Sequence, residues 1–137
     1  MNTESRPVLS ISDVKAIFER EFAALGPKFN VLALSVAEAE HEAAPSVNAP
    51  GVYVHWHPER GVLKVGKSQK NSKARAFQHF QSGPEWYVSQ MRQLKEHPSY
   101  QLLLFNVRER SDLHWVLSLE AYLERELHPA FPSFRNG

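Results

Sequence analysis

The chain has 137 residues, 42% of them hydrophobic and 23% charged, with a formal net charge of +1, a composition that suits one soluble globular domain able to bury its own core. It contains no cysteine, which excludes a disulfide partner, thiolate zinc sites and a thiol nucleophile. No apolar run approaches the length of a membrane span, and the polar start of the chain, with Glu4 and Arg6, lacks the apolar core of a secretory signal. A cytoplasmic location is therefore expected.

In chain order, Ser12 is placed to cap a helix whose apolar positions Val14, Ile17, Phe18, Phe22 and Leu25 recur at helical spacing, and Gly26-Pro27 stops it. Residues 29–36 read as a short apolar strand. Residues 37–50 are rich in Ala, Glu and Pro and read as a linker with room for one more helical turn. From residue 51 to 56 β-formers alternate, Pro58-Glu59-Arg60-Gly61 supplies turn residues and 62–66 returns, which predicts a β-hairpin. The polar run 67–72 leads into a helix with Ser72 as cap and Ala74, Phe77 and Phe80 as a buried stripe, so that Arg75 and His79 project from another face. Ser82-Gly83-Pro84 breaks this helix, and a second one over 86–97 carries Trp86, Val88, Met91 and Leu94 ahead of Pro98. Residues 100–107 form a strongly apolar strand. Asp112 is placed to cap a last helix to about His128, with Trp115, Val116, Leu119, Tyr122, Leu123 and Leu127 on its inner side, and Pro129 ends it. The order predicts an α/β or α+β domain, with a small, mostly antiparallel three-stranded sheet flanked by helices over 51–137. Residues 1–50 are then a helix–strand extension packing on that core.

Charge is unevenly spread. Between residues 58 and 79, Arg60, Lys64, Lys67, Lys70, Lys73 and Arg75 stand against Glu59 alone, whereas the first fifty residues are net acidic. Such a local basic surface suits one short stretch of phosphate backbone, with Lys67, Lys70, Lys73 and Arg60 as DNA contacts. The alternative is a solvated lysine-rich turn.

Gly51-Val52-Tyr53, Lys64-Val65-Gly66 on the return strand, Arg75 and His79 one turn apart, and Glu120 on the last helix together resemble the active-site signature of GIY-YIG nucleases. The region is especially similar to the N-terminal nuclease domain of bacterial excision-repair endonucleases. Lys64 stands where that family usually has tyrosine. Leu119-Glu120, followed nine residues on by Pro129, resembles the metal-binding glutamate and the proline after its helix. Where the family commonly has Asn about three residues after that proline, this chain has Pro132, and Asn136 is the next asparagine. The resemblance covers 51–137 and implies a GIY-YIG-like fold there, with Mg²⁺- or Mn²⁺-dependent cleavage of DNA.

Phosphodiester hydrolysis needs a deprotonated nucleophile, neutralisation of charge on the phosphate and help for the departing oxygen. Tyr53 is the candidate base or proton relay, which requires nearby cations to lower a phenol pKa that is ordinarily about 10. Lys64, two residues off in register across the hairpin, is the candidate to lower it or to carry a proton itself. Arg75 would hold a nonbridging oxygen with its guanidinium fork, and His79 at i+4 would orient the phosphate or a water. Glu120 is the candidate ligand for Mg²⁺ or Mn²⁺, since a carboxylate at the buried seam of a helix needs a partner or a metal. His55 and His57, an i, i+2 pair on one strand face, are a second candidate metal pair, and Trp86, Tyr87 and Trp115 are either core aromatics or stacking surfaces for bases. A catalytically silent nucleic-acid-binding module and a protein-interaction domain remain as other readings. One site per chain implies that cutting both strands takes a homodimer or two encounters.

Overall fold

A computed structural model describes residues 6–133. It is an α+β arrangement of α1 (Ile11–Phe22), β1 (Phe29–Ser35), α2 (Val36–His41), β2 (Gly51–His57), β3 (Gly61–Ser68), α3 (Ser72–Gln78), α4 (Glu85–Leu94), β4 (Gln101–Val107) and α5 (His114–Leu127), with short 3₁₀ segments at Ala23–Lys28 and Arg110–Asp112. All strand pairs are antiparallel and the order is β1-β4-β2-β3. The sheet thus has four strands where the sequence predicts three. The segment assigned to an N-terminal extension supplies β1, paired with β4 along its whole length from Phe29↔Val107 to Ser35↔Gln101. Among the described residues no helix is long and apolar enough to cross a membrane.

Strand periodicity divides the core in two. Val52 and Val54 of β2 with Leu103, Phe105 and Val107 of β4 face α1 and α5, where Phe18, Phe22, Leu119 and Leu123 meet them. Tyr53 of β2 with Leu102 and Leu104 of β4 faces the other way, onto Ala76, Phe80, Tyr87, Met91 and Tyr100. Both faces of the central strands are covered, so β4 is buried from Leu102 to Val107 and is apolar throughout that stretch except at Asn106.

The helix ends correct the expected caps. Ser10, not Ser12, caps α1, in a reciprocal capping box with Asp13. A second box, Ser35 with Glu38, starts α2 inside the expected linker. Asn71 rather than Ser72 caps α3, accepting from the Ala74 amide, and Ser72 is buried instead. Asp112 sits in the 3₁₀ turn before α5 and pairs with Lys28 at 3.2 Å. Ala76 on α3 and Phe80 just past its end are buried, while Ala74 is exposed. In α4 Tyr87 and Met91 are buried and Trp86 faces outward.

Asn106 joins three parts of the chain. Its side chain, 0% exposed, accepts from Ser72 Oγ at 2.6 Å and donates to the carbonyls of Ser46 and Val47 at 2.9 and 3.1 Å. It thereby fixes the start of α3 and the segment entering β2 against β4. Asn106→Ala leaves a buried hydroxyl and two carbonyls without these partners, and stability should fall by about 2–4 kcal/mol in urea unfolding. A loss below about 0.5 kcal/mol would show the three contacts to be dispensable.

Candidate active site

β3 is one of the two outer strands of the sheet, and it carries the cleft. Tyr53 lies opposite Gly66 in the β2–β3 register. A methyl group at Gly66 would overlap the Tyr53 hydroxyl, so the phenol ring crosses β3 only because that position has no side chain. Gly51 is constrained in the same manner by Asn106 on the neighbouring β4. The glycines of both tripeptides are therefore places of close approach.

A β-bulge interrupts the β2–β3 ladder after His55↔Lys64, with Trp56 opposite Val62. Leu63 is the extra residue and packs into the core beneath α3, while Lys64 lines the cleft. Bulges re-aim side chains in this way near functional sites. Lys64 is opposite His55, and Tyr53 stays two positions away, as the sequence register predicts.

His79 is the C-cap residue of α3. Its Nε2 lies 2.6 Å from Tyr53 Oη and its Nδ1 2.8 Å from Tyr87 Oη. Burial, then the charges of Lys64 and Arg75, lowers its pKa to about 4. The ring is therefore neutral at pH 7, with one nitrogen accepting from one tyrosine and the other donating to the second. Tyr87, singled out in the sequence only as an aromatic, is thus the partner that orients the imidazole. No spacing rule links α4 to α3 side chains, so this role is not legible in the sequence.

Tyr53 departs from expectation electrostatically. Burial pushes its pKa up to about 12; the Arg75 charge opposes this and the Glu120 charge adds to it. Lys64 acts on His79 instead, adding to the burial that chiefly keeps the imidazole neutral. The predicted lowering of the phenol does not occur in the protein alone, and the group ready to accept a proton is His79.

One cleft of about 330 Å³ is lined by Tyr53, Lys64, Gly66, Lys67, Arg75, His79 and Glu120. Arg75 reaches it from the exposed side of α3. Glu120 reaches it from α5, on the opposite face of the sheet, between buried Leu119 and Leu123, and is only 4% exposed. The two layers meet here because β3 has no further strand beyond it, and the chain after α5 covers the rest of its edge: Ala130 and Phe131 donate to the carbonyls of Val62 and Leu63. Glu120 with an open polar cleft fits Mg²⁺ or Mn²⁺, which take one or two carboxylates and fill the remaining positions with water and phosphate oxygens. Among the described residues there is no group of three or more His, Asp or Glu arranged to hold a metal.

Of the other basic candidates, Lys67 lines the cleft, Lys70 is exposed at the strand end, and Lys73 donates to the Glu42 carbonyl at 2.9 Å. Arg60 is at the hairpin turn, in a separate groove with His57 and His97. His55 and His57 share the predicted face but not a metal: His55 donates Nε2–H to the Ala76 carbonyl at 3.1 Å and accepts from Tyr100 Oη at 2.7 Å. Its work is to tie α3, and hence Arg75 and His79, to β2. Trp115 packs on the α1–α5 core. Pro132 forms part of a recess beside the cleft, and Asn136 lies outside the described residues.

A histidine held neutral binds fewer protons folded than unfolded between about pH 4 and its ordinary value near 6.5. It therefore contributes stability above pH 6.5 that is lost as pH falls toward 4. By NMR, His79 should titrate near pH 4, and Lys64→Ala should move that midpoint upward by removing a like charge. A midpoint near 6.5, unmoved by Lys64→Ala, would contradict the burial and the Lys64 contact alike. In comparisons with known proteins, the chain matches no protein-family model, no curated protein and no solved structure.

Proposed function

We propose that the protein is a metal-dependent DNA endonuclease with a GIY-YIG-type site, working in the cytoplasm. What supports the reading above all is that the five residues selected from sequence, Tyr53, Lys64, Arg75, His79 and Glu120, line one cleft although they come from β2, β3, α3 and α5. Among the described residues three cationic side chains, Lys64, Lys67 and Arg75, and one carboxylate, Glu120, line the cleft, a balance suited to an anionic phosphate with one divalent cation.

In this mechanism the attacking water hydrogen-bonds to Tyr53 Oη. As the water oxygen approaches phosphorus, its proton passes to Tyr53 while the phenol proton moves to His79 Nε2, and Nδ1–H remains donated to Tyr87. Tyr53 never has to exist as a free phenolate, which its pKa of about 12 disfavours. The pentavalent phosphate brings negative charge next to the nascent imidazolium, and this offsets the like charges that hold His79 neutral at rest. Arg75 binds the equatorial oxygens with its fork, a geometry available only when the phosphate is in place. Lys64 and Lys67 complete the anionic contact. Mg²⁺ or Mn²⁺ held by Glu120 would supply Lewis-acid polarisation of the phosphate and stabilise the departing oxygen.

Plasmid nicking with Mg²⁺ or Mn²⁺ tests the proposal. Glu120→Ala and Glu120→Gln should abolish cleavage with DNA binding retained, and activity in either removes Glu120 as ligand. Arg75→Ala should slow the reaction about 100-fold or more, with little recovered in Arg75→Lys. Lys64→Ala should be nearly inactive and Lys64→Tyr measurably active. DNA binding that falls with salt in a wild type unable to cut would instead favour the silent binding module.

The pH profile separates two proton acceptors. With His79 as acceptor, kcat/KM should be level above about pH 5 and fall as pH drops through about 4. A rate that climbs through pH 8–10 would move the role to the Tyr53–Lys64 pair.

A further inference from the structure

Next to the polar cleft is a recess of about 520 Å³ formed largely of carbon: Pro84, Trp86, Tyr87, Phe131 and Pro132 make its walls. Lys64 and His79 line both cavities, so they form the boundary, and whatever enters the recess is the immediate neighbour of what sits in the cleft. Trp86 is 60% exposed although its helix has a buried face available through Tyr87 and Met91. It turns outward over the recess, its ring 6.4 Å from Phe131, while Tyr87 and Phe131 meet edge to face at 5.3 Å. The Phe131 wall is fixed in place, because its amide donates to the Leu63 carbonyl at 2.8 Å.

We infer that this recess is a stacking subsite for one unstacked nucleobase flanking the scissile phosphate, so that the preferred substrate is single-stranded or frayed DNA rather than uninterrupted duplex. The inference rests on the nuclease reading of the adjoining cleft. Aromatic walls bind the face of a base, and inside a duplex both faces of every base are covered by its neighbours. A flat apolar group joined to an anion is what a cationic cleft continuous with an aromatic recess accommodates. An apolar peptide or a second copy of the chain fits the recess but leaves the Lys64, Lys67 and Arg75 side of the same surface without a counter-charge from that occupant.

The test uses the full chain carrying Glu120→Gln, so that binding is read without cleavage, and a short single-stranded oligonucleotide with one 2-aminopurine moved along its length. At one position the fluorescence should be quenched on binding. Adding Trp86→Ala should remove the quenching and weaken binding about 10-fold, Trp86→Phe should restore most of both, and an oligonucleotide abasic at that position should bind with the same low affinity with or without Trp86. Trp86 is 60% exposed but its ring meets Tyr87 and Phe131, so unfolding of the Trp86→Ala protein is measured alongside, and Trp86→Phe separates lost stacking from a shifted wall. Equal affinity and quenching with and without Trp86 would overturn the subsite. So would self-association of the protein that depends on Trp86 and excludes the oligonucleotide, which would assign the recess to a second copy. Trp86-dependent base binding in a protein whose wild type cuts no DNA would overturn the nuclease reading and leave the base subsite standing. Cleavage indifferent to Trp86 and to the flanking base would do the reverse.

Discussion

A phenol ring can cross a neighbouring strand only where that strand carries no side chain, and Tyr53 over Gly66 meets this condition at the edge of the sheet. The placement takes the Tyr53 hydroxyl over β3 to within 2.6 Å of His79. It leaves His79 between two tyrosines, shielded enough that its proton is lost well below neutral pH. A side chain at residue 66 would displace the ring, and the imidazole, the cleft and its electrostatics would lose their common reference point. The glycine thus has a steric role whose consequences are chemical.

In the proposed mechanism the pKa values give a tyrosine with a strongly disfavoured anion a use. Tyr53 is raised and His79 lowered, so at rest the proton is on the phenol, and the hydrogen bond joining them is a ready transfer path. In the proposed mechanism two groups pushed apart in this manner divide the work: one would touch the water, the other would receive the charge. His55 supports the pair from below. With both nitrogens engaged, by Tyr100 and the Ala76 carbonyl, it holds α3 at a fixed height above β2.

Much of this was legible in the sequence, and the exceptions have physical reasons. The hairpin, the apolar strand near the end and the helices announce themselves by period, and the residues meeting in the cleft are singled out by their resemblance to a known nuclease signature. The fourth strand is not legible as part of the sheet because nothing local says that residues 29–35 pair with residues 101–107, some seventy positions away. Caps slipped by one or two positions because serine, asparagine and aspartate compete for the same role: Asn71 takes it from Ser72, which is drawn inward by Asn106. The phenol's raised pKa is not legible because neighbouring cations can be read from sequence, whereas burial of the ring beneath α3 cannot. Tyr87 escaped because its function exists only once α4 lies across α3.

The cleft also shows what an edge strand can do that a central one cannot. Tyr53 and His79 belong to the layer of α3 and α4, Glu120 to the layer of α1 and α5, and side chains from opposite faces of a sheet meet only around its rim. An open rim exposes unpaired carbonyls and invites pairing with other chains. Here the segment after α5 closes it. His128 takes a left-handed conformation at the helix end (φ 49°), Pro129 follows, and the next two amides bond to the carbonyls of Val62 and Leu63 just short of Lys64. The same segment therefore satisfies part of the β3 edge, brings Ser133 to the cleft lining, and sets Phe131 and Pro132 as the apolar wall beside it. Stability of the rim and composition of the site are consequences of one stretch of chain, so changes at residues 129–132 should couple folding to the chemistry of the cleft more tightly than changes on the exposed face of α3.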